Sequence, residues 1–172
     1  AQATQEWVLS LDADERVSPE LALELQGILS CDDPEVSGYA VPIKTFIGKR
    51  WVRHAGYYPA QKLRLYRRGK FRYEETTVHP RAFLDGRERR LQSDIIHLGY
   101  RDFNHFIEKL NGQTTLEAKK WITDGRRIGW PKVCYKALDR FFRNYVGKQG
   151  FRDGLLGFAM SLFHSLYQLF TY

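Results

Sequence analysis

An α/β fold, with its sheet in the first hundred residues and helices after them, is predicted by three features of the sequence. Trp7, Val8, Leu9 and Leu11 make an apolar run of strand length that ends in Asp12, Asp14 and Glu15. Short alternating runs separated by turn residues then continue to His97. From Asp102 onward the apolar spacing changes to that of helices. A strand that ends in acidic residues and leads into a helix suits an open sheet, which binds ligands beyond the carboxyl ends of its strands.

The elements follow in order. Ser18-Pro19 is a helix start, with Ser as N-cap and Pro in the first turn. Leu21, Leu25, Ile28 and Leu29 form the apolar stripe of that helix, which ends before Pro34. Residues 38–47 read as a strand, and Pro42 places it at an edge or a bulge. Lys62–Tyr66 alternates as a strand, with Arg67–Lys70 as its turn. Phe71–Tyr73, Thr77–Leu84 and Leu91–His97 are further short strands. Asp102 caps a helix that buries Phe103, Phe106, Ile107, Leu110, Thr114, Ala118 and Trp121. Pro131 opens another, with Val133, Leu138, Phe141, Phe142 and Tyr145 as its apolar side. Gly154–Tyr172 carries no formal charge, but Ser161, His164, Ser165, Gln168 and Thr171 make it polar for a membrane span. An interfacial helix or one packed on the domain is expected. The first strand starts so near Ala1 that a parallel partner, which needs a crossover, is expected from sequence ahead of it.

The 172 residues suffice for a real core, and the apolar and aromatic content excludes a disordered chain. Cys31 and Cys134 fall in no paired pattern, so free thiols in a reducing compartment are expected. The net charge of +7 is unevenly spread. Residues 1–35 hold nine acids and one base, and residues 36–172 hold eleven acids and twenty-six bases. A balance of +15 over the second part suits an anionic membrane, a phosphorylated glycolipid or nucleic acid.

Two hard oxygen donors at a strand end suit Mg²⁺ or Mn²⁺, which substrate phosphates and water complete. In an extended chain Asp12 and Asp14 point to the same side and can converge. Acidic residues leading into a helix also answer its macrodipole without binding anything. A calcium loop is a poor fit, because Val17 and Leu23 stand where it needs Gly and Glu. Lys132, Lys136, Arg140 and Arg143 fall at spacings of four, four and three, which makes one basic stripe.

Several segments together resemble family 2 inverting glycosyltransferases of the GT-A fold, of the lipopolysaccharide core type. They are Trp7–Leu21, Lys62–Arg68, Val78-His79, Ile96–Asp102, Lys109–Ala118 and Gly150-Phe-Arg-Asp-Gly154. On this resemblance residues 1–100 are the C-terminal part of a Rossmann-like GT-A catalytic domain, whose first part is missing. Residues 101–172 are a helical, membrane-associated extension.

The resemblance implies a nucleotide-sugar donor such as a UDP-sugar, a glycolipid acceptor and a divalent cation. Asp14 would bind Mg²⁺ or Mn²⁺ directly, and Asp12 would contact ribose or the metal through water. Inversion needs a carboxylate base, and Glu75, with Glu74 beside it, is the candidate ahead of His79-Pro80. Arg64, Arg68, His79 and His97 are candidate donor or acceptor contacts. Lys132, Lys136, Arg140 and Arg143 would face anionic lipid, with Phe158, Leu162, Phe163, Leu166 and Phe170 of the tail buried there. A peripheral place at the cytoplasmic face of the bacterial inner membrane follows, and no nucleic acid is expected. The competing reading is a non-catalytic basic module that grips nucleic acid or an acidic glycan.

Overall fold

The computed structural model describes residues 3–73 and 82–172. The chain forms two compact units. One comprises the residues up to Thr45 together with Pro59–Gly99, and the other comprises Phe46–Tyr58 and Tyr100–Tyr172.

The first unit is built on a curled mixed sheet. Its strands run in the order β1 (Trp7–Leu9), β5 (Ala60–Arg67), β3 (Val36–Ile47), β9 (Ile95–Tyr100) and β2 (Glu15–Val17). The β1–β5, β3–β5 and β2–β9 pairings are antiparallel. β8 (Arg87–Arg90) adds a parallel pairing along Val36–Ala40 of β3. β6 (Phe71–Tyr73) and β7 (Ala82–Leu84) form a separate antiparallel pair. Helix α1 (Pro19–Ser30) starts as its sequence predicts: the Ser18 hydroxyl accepts from Leu21 N at 3.1 Å. Leu21, Val36, Tyr39, Val41, Ile43, Leu65, Leu91 and Ile95 are the core of this unit.

Of the two places expected for Pro42, an edge or a bulge, the second is nearer the structure: β3 is internal, and its register slips between Tyr39 and Ala40. The slip relieves the ladder next to a residue that has no N–H to donate. The first strand is also shorter than its apolar run. It pairs antiparallel with β5 and gives way to a turn at Asp12.

The second unit is helical. β4 (Arg50–Trp51) folds back on the end of β3. Helix α2 (Phe103–Thr123) is capped by Asp102, which accepts from His105 N at 2.8 Å. Helix α3 (Trp130–Phe142) runs into a π-helical turn, Arg143–Gly147, and a 3-10 turn, Gly150–Asp153. Helix α4 (Gly154–Thr171) packs on α3 and α2. Ile47, Val52, Ala55, Phe106, Leu110, Leu156 and Met160 form this core, with Phe163 and Tyr167 against it. The uncharged tail is therefore a packed helix. Among the described residues no helix is long and apolar enough to cross a membrane.

His164 of α4 is set into this core. Its ring stacks on Tyr57 with centroids 5.1 Å apart, contacts the Tyr57 hydroxyl at 3.1 Å and meets Asn144 Nδ2 at 2.9 Å. Burial, followed by the charges of Arg140 and Lys148, holds its pKa down at about 4. Between pH 6.5 and about 4 the unfolded chain therefore takes up a proton that the folded unit refuses. Stability contributed by neutral His164 is fully present above pH 6.5 and is lost as the pH falls through that window. The loss is roughly 3 kcal/mol. Thermal melts from about pH 7 to about pH 4 are expected to show this decline, and His164→Gln is expected to flatten it.

Candidate functional site

The acidic stretch after β1 folds back on itself. Ser10 N still donates to Arg64 O at 2.8 Å, continuing the sheet. The chain then turns: Glu15 N donates to the Asp12 carbonyl at 2.9 Å, and Asp12 N donates to Glu15 Oε2 at 3.0 Å. Ala13 and Asp14 lie at the centre of this turn. The alternation of an extended strand thus stops at Asp12, and Asp12 and Asp14 are presented by a turn instead. An acidic side chain that bonds a nearby backbone N–H is the usual competitor of strand structure.

Arg64 on β5 anchors the turn. Its Nη2 donates to Asp12 Oδ2 and to Glu15 Oε1, both at 2.6 Å. The Glu15 side chain is only 1 % exposed, whereas that of Asp12 is 59 % exposed. Burial alone would lower the Arg64 pKa, but the two carboxylates outweigh it and hold the guanidinium above its ordinary value. Its Nε is buried with no partner among the described residues.

His97 closes the other side. β2 and β9 pair Glu15 with His97, and Leu98 N donates to the Asp14 carbonyl at 2.9 Å. His97 Nε2 lies 3.5 Å from Asp14 Oδ2, and Nδ1 lies 3.3 Å from Thr45 Oγ1. The ring thus spans Thr45 and Asp14 through its two nitrogens. Gly99 makes room for the ring, since a Cβ there would fall 2.3 Å from His97 Nε2.

One network therefore joins Asp12, Asp14, Arg64 and His97, four residues singled out from the sequence. Glu15, Thr45 and Gly99 complete it and were not singled out. Glu15 offered a signal, as a third acid beside the pair. Thr45 and Gly99 offered none, because their roles depend on the pairing of β9 with its neighbours. Arg68 is not part of the network. It is exposed just past β5, reaching Ala3 O at 3.3 Å. It stands four residues along the strand from Arg64, about 13 Å away. Glu74, Glu75 and His79 lie outside the described residues. Lys132, Arg140 and Arg143 are exposed on the second unit, with Lys136 half-buried.

No protein-family model matches the chain. Over 172 residues it is 27% identical to the lipopolysaccharide core biosynthesis glycosyltransferase LpsC of Rhizobium meliloti (strain 1021). The match takes in 99% of this chain. The chain is a distant relative of a glycosyltransferase. It spans 63% of the length of that curated relative, so the relative has further sequence that this chain does not match.

The side chains of this glycosyltransferase relative suit a divalent cation that brings ligands of its own. Among the described residues no three His, Cys, Asp or Glu side chains gather into a ready-made cage. Mg²⁺ does not need one, since it uses one or two carboxylates plus phosphate and water. Asp14, half-exposed, and the Asp12 Oδ1, outside the Arg64 contact, are hard oxygen donors of that kind. Asp12 and Asp14 are the residues here that could hold such a cation.

Proposed function

We propose that this chain is the C-terminal part of a GT-A-type, metal-dependent inverting glycosyltransferase of family 2. It moves a sugar from a nucleotide donor, a UDP-sugar, to a lipopolysaccharide core or related glycolipid. The observation that carries the proposal is the acidic turn held between Arg64 and His97, within a chain similar along its length to a lipopolysaccharide core glycosyltransferase.

A bound Mg²⁺ or Mn²⁺ would neutralise the charge that builds on the leaving diphosphate. The protein's part is to hold the ligands in place beforehand. Arg64 offsets the mutual repulsion of Asp12 and Glu15 and fixes the Asp12 carboxylate through one oxygen. Asp14 presents its carboxylate from the turn, and His97 steadies it from β9. Arg64, Arg68 and His79 are assigned to phosphate or acceptor contacts. Glu75, or Glu74 beside it, takes the proton of the acceptor hydroxyl. The enzyme works as a peripheral protein at the cytoplasmic face of the inner membrane.

The test is nucleoside-diphosphate release by the full-length protein, with UDP-sugars and a purified core glycolipid. Release is expected to require both acceptor and divalent cation and to stop with chelator. Donor binding that ignores chelator would support the rival reading of a basic binding module.

A further inference from the structure

Helix α3 is built the wrong way round for a helix surrounded by water. Its buried side chains are small ones, Val133 and Ala137, continued by Asn144 in the π-helical turn. Its large apolar side chains point outward: Tyr135 is 71 % exposed, Leu138 61 % and Phe142 58 %. At about 100° per residue these three fall within about 60° of one another, roughly 150° from Val133 and Ala137. The sequence pattern shows that the helix is amphipathic but does not show which side faces inward.

The outward face continues beyond the helix. Val146 and Phe151 are exposed. Phe142 meets Phe141 at 5.5 Å, Phe141 stacks on Tyr145 at 5.4 Å, and Tyr145 meets Phe151 at 6.3 Å. Lys132, Lys136 and Arg140 run along one border of the face, in the interval between the apolar and buried sides. Arg143 extends that border and pairs with Asp139, the one acid of α3.

We infer that this outward face is the surface that lies in an anionic lipid bilayer, with α3 in the plane of the interface. This rests on the peripheral-membrane part of the proposed function and adds the apolar side of α3 to the contact already assigned to its basic stripe. The border of cations selects the occupant. A second copy docked face to face with its helix antiparallel would set cations against cations. Anionic headgroups instead meet the cations while acyl chains take Leu138 and Phe142, the usual position of an interfacial helix. Tyr135 and the Tyr145 ring suit headgroup depth. Of the tail residues assigned to lipid, Phe163 packs against the core, whereas Phe158 and Phe170 are exposed.

The test is flotation of the full-length protein with phosphatidylcholine vesicles, with or without phosphatidylglycerol, and with no donor nucleotide present. Failure would then remove the lipid contact and leave sugar transfer untouched. Wild type is expected to float only with the anionic vesicles and to be released by salt. Leu138→Ser/Phe142→Ser is expected to bind at least about tenfold more weakly. Lys132→Gln/Arg140→Gln is expected to lose about fivefold per cation and to show a shallower salt dependence. Undiminished flotation of the apolar variant would overturn the inference. A second measurement uses Phe142→Cys in a Cys31→Ser/Cys134→Ser background, labelled with an environment-sensitive dye. A blue shift on adding anionic vesicles supports the inference. No shift means that the face stays in water, or is already covered by another part of the protein or a second copy, and overturns it.

Discussion

Asp14→Ala is expected to reduce sugar transfer by about a thousandfold while leaving the protein folded. Loss of a single group that stabilises developing charge costs about a hundred- to a thousandfold in rate, and in the proposed site Asp14 is the direct cation ligand. Its side chain sits half-exposed in a turn, 3.5 Å from His97 Nε2. Its removal therefore opens no core cavity, and stability should change by no more than about 1 kcal/mol. Both readouts are needed. Lost transfer with an unchanged melting temperature marks Asp14 as part of the chemistry, whereas equal loss of both marks it as part of the fold. Asp12→Ala should be milder in rate and should also loosen the Arg64 anchor, since Oδ2 of Asp12 takes one of its two short hydrogen bonds.

Arg64→Leu is expected to have the largest effect on stability. Glu15 is almost fully covered, and its Oε1 has Arg64 as its ion-pair partner at 2.6 Å. Removing the cation strands a buried carboxylate, which costs about 3–5 kcal/mol. Urea or thermal unfolding should register this directly. The second substitution separates the causes. In Arg64→Leu/Glu15→Leu both buried charges are gone, and much of the stability should return, because a buried ion pair is often no better than apolar groups of similar size. Transfer should stay lost in the double variant, since Glu15 Oε2 also accepts from Asp12 N and so shapes the turn that carries Asp12 and Asp14.

How far the sequence reveals this arrangement depends on whether the cause is local. Helices α1 and α2 were legible because Ser18 and Asp102 cap them within three residues of their own positions. The chain after Asp12 was not. The turn there is closed by Glu15 nearby, but it is anchored by Arg64, fifty-two residues later. Periodicity treats Asp12 and Asp14 as alternating strand positions, because it contains no information about that partner. β2 is three residues long and exists through its pairing with β9, so no local signal announces it. On α3 the expected apolar side is Val133, Leu138, Phe141, Phe142 and Tyr145, and only Val133 of these is buried; the interior takes Ala137 and Asn144 beside it, which let α4 approach closely. The tail shows the reverse case. Its polar residues argued against a span, and the structure uses them in packing: Ser161 and Ser165 are buried, bonded to Gly157 O at 2.8 Å and Ala137 O at 2.7 Å.

The central claim is that the acidic turn holds a divalent cation together with a nucleoside diphosphate. Electron paramagnetic resonance of Mn²⁺ tests it most directly, in the full-length protein with and without UDP. Wild type should take up Mn²⁺ tightly only when UDP is present, because the protein supplies few ligands and the diphosphate supplies the rest. Asp14→Ala should leave the Mn²⁺ signal that of free Mn²⁺–UDP. Equal uptake by wild type and Asp14→Ala, or no uptake by wild type with UDP, would contradict the claim.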